Sequence, residues 1–218
     1  MWGGCVTMSG VVSPSPQSLR ERRRRQTSID IHNVALRLVL ERGGVDKVTV
    51  EEISSAAGLS SRTFFNYFSA KEYAIAYAPL EIPPEMAANF IAMGRAPAPV
   101  LLADVLDLTI RNLAENPPSR EEMGIVFAMA HSSAAVASAV LTQFDEFQEQ
   151  LSVLVAQRAG MKPTDEVPTL IAALVLAVGR TGMTRWVAES PTDGEDTPVP
   201  YLQRAAKMVQ TFFAKPAD

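Results

Sequence analysis

Helix-start signals recur at short intervals after residue 48, and this spacing restricts the fold more than any other feature of the sequence. Thr49 is followed three residues later by Glu52, which is the pattern of a capping box. Ser60 or Ser61 can cap another helix directly after Gly58, a residue typical of helix ends. The sequence therefore predicts two short helices joined by a tight turn, which is the geometry of a helix-turn-helix.

The rest of the chain is predicted to be helical as well. Apolar residues recur at helical spacing, and no stretch alternates like a half-buried strand over more than a few residues. Ser69, Ser119 and Thr164 are the expected caps of the helices that follow them. The predicted helices cover residues 18–42, 49–58, 60–68, 69–83, 85–93, 100–115, 120–131, 134–158, 164–188 and 201–213. The predicted fold class is all-α, with an N-terminal three-helix helix-turn-helix domain and a C-terminal helical bundle.

Charge is distributed unevenly along the 218-residue chain. Residues 1–77 contain ten Lys or Arg and seven Asp or Glu, a net charge of +3, whereas residues 78–218 contain ten and seventeen, a net charge of −7. A basic front end on an acidic body favours a polyanionic partner for the front end. The single cysteine, Cys5, cannot form an intrachain disulfide, which favours a cytoplasmic location. No uninterrupted apolar stretch reaches the roughly 18 residues of a membrane span, so no membrane association is expected.

The second helix of the predicted motif has one apolar face and one polar face. Its inward face is expected to be buried together with apolar residues of the preceding helix and turn. The outward face offers side chains that can hydrogen-bond base edges or grip phosphates, and Arg62 is the best candidate to read guanine. The inward residues are Ile53, Ala57, Leu59, Phe64 and Phe68, and the outward ones are Ser61, Arg62, Thr63, Phe65, Asn66 and Tyr67.

Three consecutive segments carry a family pattern: Thr49-Val-Glu-Glu-Ile-Ser-Ser-Ala-Ala-Gly-Leu-Ser60, Ser61-Arg-Thr-Phe-Phe-Asn-Tyr-Phe68 and Ser69-Ala-Lys-Glu72. Together they closely resemble the DNA-binding domain of TetR-family repressors over about residues 26–77. The variant Arg-Thr-Phe-Phe-Asn-Tyr-Phe is similar to the actinobacterial subgroup that includes the mycofactocin regulators. The resemblance implies that Thr49 and Lys71 meet phosphates and that Ser61, Arg62 and Thr63 meet bases. It also implies that Phe65 and Tyr67 contact the DNA backbone or thymine methyl groups. At position 66 this chain has the small amide Asn66, where members of the family often carry a bulkier or basic residue.

The resemblance further implies a homodimer built on the last two long helices, 164–188 and 201–213. Apolar stripes on the first of these helices agree with burial on both sides, and Gly179 and Gly182 would let backbones approach closely. Two recognition helices then require half-sites roughly 34 Å or a multiple apart, so the DNA partner is expected to be a palindromic duplex. The candidate interface residues are Leu170, Leu174, Val178, Gly182 and Phe212.

An effector cavity is expected in the acidic body. Methionine and aromatic side chains occur in the segments that surround the effector in this family, although such stripes are more often ordinary core. The candidate lining residues are Met86, Phe90, Met93, Phe127, His131, Phe144 and Trp186. They would suit a small lipophilic effector, and the subgroup resemblance suggests an acyl thioester, with Arg95 and Arg180 as candidate anchors. His131 can instead be a cation favoured at a helix C-terminus.

The basic run Arg22–Arg25, preceded by Arg20, is interpreted as an arm that grips phosphates or the minor groove, with Arg23 and Arg24 as its candidate contacts. The alternative is a solvated charge run. The expected division is a disordered arm at residues 1–17, a helix-turn-helix domain at 18–77 and an effector-binding and dimerisation domain at 78–218.

The preferred interpretation is a ligand-responsive repressor, cytoplasmic and associated with the nucleoid, that catalyses no reaction and requires no cofactor or metal. In this interpretation the fourth helix, from Ser69 to Pro83, couples effector binding to DNA binding. Two alternatives are an effector-independent dimeric DNA-binding regulator and a helical small-molecule-binding protein.

Overall fold

The computed structural model describes residues 16–78, 80–115, 117–189 and 196–213, and in these ranges the chain forms ten α-helices and no strand. The all-α prediction is confirmed. A single 3₁₀ turn, Val45–Lys47, precedes the second helix. The helices are α1 (Pro16–Arg42), α2 (Val50–Ala56), α3 (Ser61–Phe64), α4 (Lys71–Ala76), α5 (Pro84–Ala92), α6 (Ala98–Glu115), α7 (Arg120–Ser132), α8 (Ala134–Ala159), α9 (Glu166–Ala188) and α10 (Val199–Phe213).

Of the predicted helix caps, Thr49, Ser60 and Ser119 are confirmed, and Ser69 and Thr164 are wrong. Thr49 and Ser119 each close a capping box with the glutamate three residues later. The N-cap of α4 is Ala70 rather than Ser69, so Glu72 stands one position too early to complete a box. The N-cap of α9 is Asp165 rather than Thr164. The Asp165 carboxylate accepts from the backbone N–H of Lys162 instead of capping the helix.

The predicted arm at residues 1–17 lies outside the described residues, except that Pro16 and Gln17 already belong to α1. The basic run Arg22–Arg25 is also part of α1. These arginines are therefore presented on a helix surface, as the helix predicted over residues 18–42 implies.

Helix α4 is much shorter than the predicted 69–83 because both hydrogen-bonding groups that would extend it have other partners. The carbonyl of Ala74 accepts from Nδ1 of His32 at 2.8 Å, and the N–H of Ala78 donates to Oε1 of Gln143 at 3.0 Å. In a continuous helix these two groups would bond to each other. Tyr77 accordingly has a non-helical ψ of 128°. The two parts of the molecule are thus joined by a non-helical segment rather than by a rigid lever helix.

The structure contains two hydrophobic cores. The larger one lies between α5, α6, α8, α9 and α10. The smaller one contains Ile53 and Phe64 of the N-terminal helices, and it also takes in Val126 of α7 and Val136 of α8. Side-chain packing therefore continues across the domain boundary predicted after Tyr77.

Helix α9 is long and apolar enough to cross a membrane when judged by length and composition alone, as core helices of soluble proteins also are. Only 33% of its most apolar stretch is buried within the chain, and Leu170 exposes 60% of its surface. On the inner side, a Cβ atom at Gly182 would lie 2.7 Å from Cδ1 of Leu202 and 2.9 Å from its Cα. This glycine therefore allows α9 and α10 to pack closely within one chain.

Candidate nucleic-acid interface

The N-terminus of α2 is fixed by Thr49 and by an acidic partner. Thr49 Oγ1 accepts from the backbone N–H of Glu52 at 3.2 Å, and the Thr49 N–H donates to Glu52 Oε2 at 2.9 Å. Arg42, at the end of α1, lies 3.1 Å from the same carboxylate. The hydrogen bond from Thr49 and the nearby Arg42 lower the pKa of Glu52. Thr49 is exposed at the N-cap of α2, and from this position it is predicted to contact a phosphate.

A tight turn between α2 and α3 sets the two short helices against each other. Gly58 has a φ of +70°, a left-handed conformation that suits glycine, and the N–H of Leu59 reaches back to the carbonyl of Ser54 at 2.8 Å. Ser60 then caps α3 by accepting from the Thr63 N–H at 3.1 Å, and its hydroxyl also lies 2.8 Å from that of Thr63. The predicted helix-turn-helix geometry is present, and the cap is Ser60.

The two faces of α3 and the turn after it are divided as predicted. Phe64 and Phe68 are buried, while Arg62, Phe65 and Asn66 are exposed and Ser61, Thr63 and Tyr67 are half-buried. Phe65 exposes 54% of its surface, which is unusual for a large aromatic side chain. The exposed Phe65 ring provides apolar surface for thymine methyl groups or sugars. Arg62, on the same segment, provides a cation for guanine or phosphate.

Arg24 of α1 contacts the end of the recognition segment, which we define as residues 61–68. Its Nη2 donates to the backbone carbonyl of Asn66 at 3.3 Å, and its guanidinium carbon lies 5.8 Å from the centre of the Tyr67 ring. Arg23 is exposed. The sequence prediction placed both arginines on the interface but did not anticipate the contact between α1 and the recognition segment, for which no local sequence signal exists.

Lys71 has a structural role that the sequence prediction missed. Its Nζ donates to the carbonyls of Val45 at 2.9 Å and Val48 at 2.8 Å, just before Thr49. The ammonium therefore holds the 3₁₀ turn that leads into α2. The phosphate clamp at Lys71 stays a prediction, and it would have to use the remaining donor, because two of the three donors are used within the chain.

The predicted effector residues range from fully buried to exposed. Phe90 is buried under the guanidinium of Arg158, whose Cζ lies 4.6 Å from its ring centre, and Trp186 is fully buried. Met93 and His131 are exposed, and Met86, Phe127 and Phe144 are half-buried. His131 Nδ1 lies 2.7 Å from the carbonyl of Phe127 in the last turn of α7, which agrees with the alternative of a helix-end histidine.

An open groove lies between α8 and the segment that leads into α5, and none of the predicted effector residues lines it. Its volume is about 510 Å³. Two carboxylates and two amides lie among apolar side chains, and the lining includes no lysine or arginine. The lining residues are Ile82, Ala87, Glu146, Glu149, Gln150, Val153, Leu154 and Gln157.

The predicted dimer residues of α9 and α10 differ in their exposure. Leu170 and Phe212 expose 60% and 72% of their surfaces, and Leu174 is half-buried. Val178 and Gly182 face the interior of their own chain, so their assignment to a dimer interface is corrected. Met208, which sequence analysis missed, is exposed one helical turn before Phe212. The spacing Met208–Phe212 was the available signal.

Comparisons with known proteins agree with this geometry. The family profile "Bacterial regulatory proteins, tetR family" matches residues 31–73, and the profile "MftR C-terminal domain" matches residues 97–214. The chain is 26% identical to the HTH-type transcriptional regulator TcmR of Streptomyces glaucescens over 210 residues, which are 93% of this chain and 91% of TcmR.

A second relative is MftR of Mycobacterium tuberculosis (strain ATCC 25618 / H37Rv), whose name associates it with the regulation of mycofactocin biosynthesis. It is 26% identical over 174 residues, or 77% of this chain and 83% of MftR. Among solved structures, a TetR-family transcriptional regulator from Syntrophomonas wolfei str. Goettingen has a TM-score of 0.53 and 21% identity, covering 90% of this chain and 98% of its own. Its fold is the fold described above.

Proposed function

This chain belongs to the TetR family of transcriptional regulators, and on that premise we propose that it is a homodimeric repressor that leaves a palindromic operator when a small lipophilic effector binds. The observation that carries the DNA-binding part is the exposed face of the recognition segment, where Arg62 and Phe65 stand on a helix fixed by the caps at Thr49 and Ser60. In this proposal Arg62 contacts a base edge, with Ser61 and Thr63 beside it. Thr49 and Arg23 contact phosphates.

A dimer is proposed to form through the uncovered faces of α9 and α10. Leu170 and Leu174 on α9 and Met208 and Phe212 on α10 supply the apolar surface. Gly182 faces Leu202 and the two helices run in opposite directions, so the N-terminal part of α9 lies level with the C-terminal part of α10. The four apolar residues thus form one patch, which we call the dimer patch.

The effector is proposed to bind in the groove beside α8. The groove includes Ile82 of the segment between α4 and α5, and Gln143, which bonds to the same segment at Ala78, lies one turn before Glu146 on α8. A ligand bound there would change the distance between this segment and α8. It would thereby favour one position of the DNA-binding helices over another. Because Glu146 and Glu149 line the groove, its charge supports a neutral or cationic lipophilic effector better than the acyl thioester suggested by family resemblance.

The DNA-binding proposal is tested with the intergenic DNA that flanks the gene. Binding by the wild type is expected to be tight, confined to a palindrome in a footprint and steeply dependent on salt. Arg62→Ala is expected to lose about 1–3 kcal/mol of binding free energy at the palindrome. Arg111→Ala is the matched control, because this arginine is as exposed but lies on α6. Equal, weak binding of all three proteins to every sequence would refute regulation from this locus.

The repressor and effector proposals are tested together in a reporter strain. The flanking promoter should be silenced by the protein and reactivated by some members of a panel of lipophilic amines, alcohols and acids. Val153→Trp should fill the groove and abolish reactivation while leaving silencing intact, whereas Leu141→Trp, at an exposed position of the same helix, should respond normally. A normal response from Val153→Trp would place the effector elsewhere, and stimulation instead of silencing would make the protein an activator.

A further inference from the structure

We infer that Arg24 is a positioning residue, which holds the end of the recognition segment in place rather than gripping a phosphate. The inference rests on the proposed operator binding for one of its two readouts. It starts from the way α3 ends. The N–H of Phe65 still makes a regular helical bond to Ser61 O at 3.1 Å. The next two residues are held by shorter-range bonds, from Asn66 N to Thr63 O at 3.0 Å and from Tyr67 N to Phe64 O at 2.9 Å.

A helix end of this kind leaves carbonyl groups without partners inside the helix and carries the negative end of the helix dipole. Nη2 of Arg24 donates to one such carbonyl, that of Asn66, from a residue 42 positions earlier in the chain. A cation that donates to the last carbonyls of a helix stabilises that end. Arg24 therefore acts as a C-terminal cap supplied by another helix.

The second contact of Arg24 depends on the shape of its side chain. The guanidinium lies over the Tyr67 ring, within the distance at which a cation and an aromatic face attract each other. A planar guanidinium can stack and donate at the same time, which a lysine ammonium cannot do in the same geometry. The two contacts fix adjacent residues, Asn66 and Tyr67, at the point where the recognition segment leaves its regular helix.

The neighbouring arginine provides the contrast. Successive residues of an α-helix point about 100° apart, so Arg23 and Arg24 are directed differently from the same turn of α1. Both arginines are exposed, and Arg24 is the one whose guanidinium contacts the recognition segment. The phosphate contact is thus assigned to Arg23 and the positioning contact to Arg24, although the two residues are adjacent and carry the same charge.

The two roles predict different salt dependences. Loss of a phosphate contact lowers the slope of log K against log salt by about 0.9 and weakens binding to every duplex. Loss of a positioning contact leaves the slope unchanged and weakens binding only to the sequence that the segment reads. The experiment compares a duplex enriched by the wild-type protein from a random-sequence pool with a shuffled duplex of the same composition, each titrated at several NaCl concentrations.

Arg24→Ala and Arg24→Lys are both expected to lose about three- to tenfold in affinity for the enriched duplex, with the wild-type slope. In a Tyr67→Leu background part of this loss should disappear, because the contact with the ring is already absent and only the bond to the Asn66 carbonyl remains. Arg23→Ala should lower the slope. Arg37→Ala, on the same helix but paired with Glu41, should behave as the wild type. Wild-type affinity in Arg24→Lys, or a lowered slope in Arg24→Ala, would overturn the inference.

The second readout needs no DNA. Amide hydrogen exchange over residues 64–68 of the free protein should accelerate in Arg24→Ala and Arg24→Lys and stay unchanged in Arg23→Ala. Unchanged exchange in the two Arg24 variants would overturn the inference by itself. If the wild type enriches no duplex while exchange accelerates as expected, the proposed operator binding fails and the positioning role stands.

Discussion

Arg120 at the start of α7 and Asp196 at the start of the last described segment form a two-pronged ion pair, with 2.7 Å between Nη2 and Oδ1 and 2.8 Å between Nε and Oδ1. The indole Nε1 of buried Trp186 donates to the same carboxylate at 2.9 Å, and Arg120 Nη1 donates to the carbonyls of Trp186 and Glu189. This cluster ties α7 to the C-terminal end of α9. Trp186, predicted as an effector contact, is a structural residue here.

Asp196→Ala should destabilise the protein because it leaves the indole N–H without its partner. We expect Tm to fall by roughly 3–6 °C, measured by circular dichroism. The hydrogen bond from Arg120 lowers the pKa of Asp196, so its contribution is present above the ordinary aspartate pKa and is lost as pH falls through the lowered value. Asp107→Ala is the control, since it removes an exposed pair with Arg111, and an equal fall in Tm would contradict the assignment.

Gly182→Ala should destabilise the packing of α9 on α10. The new methyl group would lie under 3 Å from the backbone and side chain of Leu202, and we expect a loss of about 1–3 kcal/mol in the free energy of urea unfolding. Gly124→Ala is the matched control in α7, where the methyl group would have an ordinary 3.9 Å contact with Val187. It should gain about 0.5–1 kcal/mol from helix propensity. A stabilising Gly182→Ala would show that the two helices are farther apart.

Lys71→Met should destabilise the N-terminal helices by about 1–3 kcal/mol, because the carbonyls of Val45 and Val48 lose a charged donor. Urea unfolding measures this loss. Lys47→Met is the control, since Lys47 is exposed on the same 3₁₀ turn, and it should change stability by less than about 0.5 kcal/mol. If Lys71→Met kept full stability but lowered the salt slope of DNA binding, Lys71 would be a phosphate contact and not a structural residue.

His32 should make stability depend on pH. Burial lowers the pKa of His32, and its Nδ1 is held by the Ala74 carbonyl. As pH falls below about 6.5, the unfolded chain binds a proton that the folded chain resists, so the free energy of unfolding decreases, with a limiting slope of about 1.4 kcal/mol per pH unit. This loss is absent above that range.

His32→Asn retains a donor for Ala74 and removes the titration. Its unfolding free energy, measured in urea at pH 7.5 and 5.5, should therefore vary less than that of the wild type. The carboxylates titrate at lower pH and do not obscure this range. Identical pH dependence in the two proteins would exclude His32 as the cause.

Local patterns predicted most of the fold because the responsible interactions are local. The caps at Thr49 and Ser119 bond within three residues, and the buried positions Phe64 and Phe68 follow from helical periodicity. The shortness of α4 depends on His32 and Gln143, which are distant in sequence, although Pro79 already disfavours helix at the preceding residue.

The candidate sites were harder to predict because they depend on which surfaces meet. Lys71 finds its acceptors 26 and 23 positions earlier, and Arg24 finds its acceptor 42 positions later. Because α9 is apolar nearly all round, sequence could not distinguish Val178 and Gly182, which are buried within the chain, from Leu170, which is exposed.

The sharing of the smaller core between the N-terminal helices and α7 and α8 bears on protein engineering. A chimera that joins residues 16–77 of this chain to the body of a relative would place Ile53 and Phe64 in a core whose Val126 and Val136 come from another sequence. Such a chimera would need the inner faces of α7 and α8 to be transplanted together with residues 16–77. Exchange of DNA-binding specificity between relatives is therefore a problem of repacking a core, and the recognition segment is the smaller part of it.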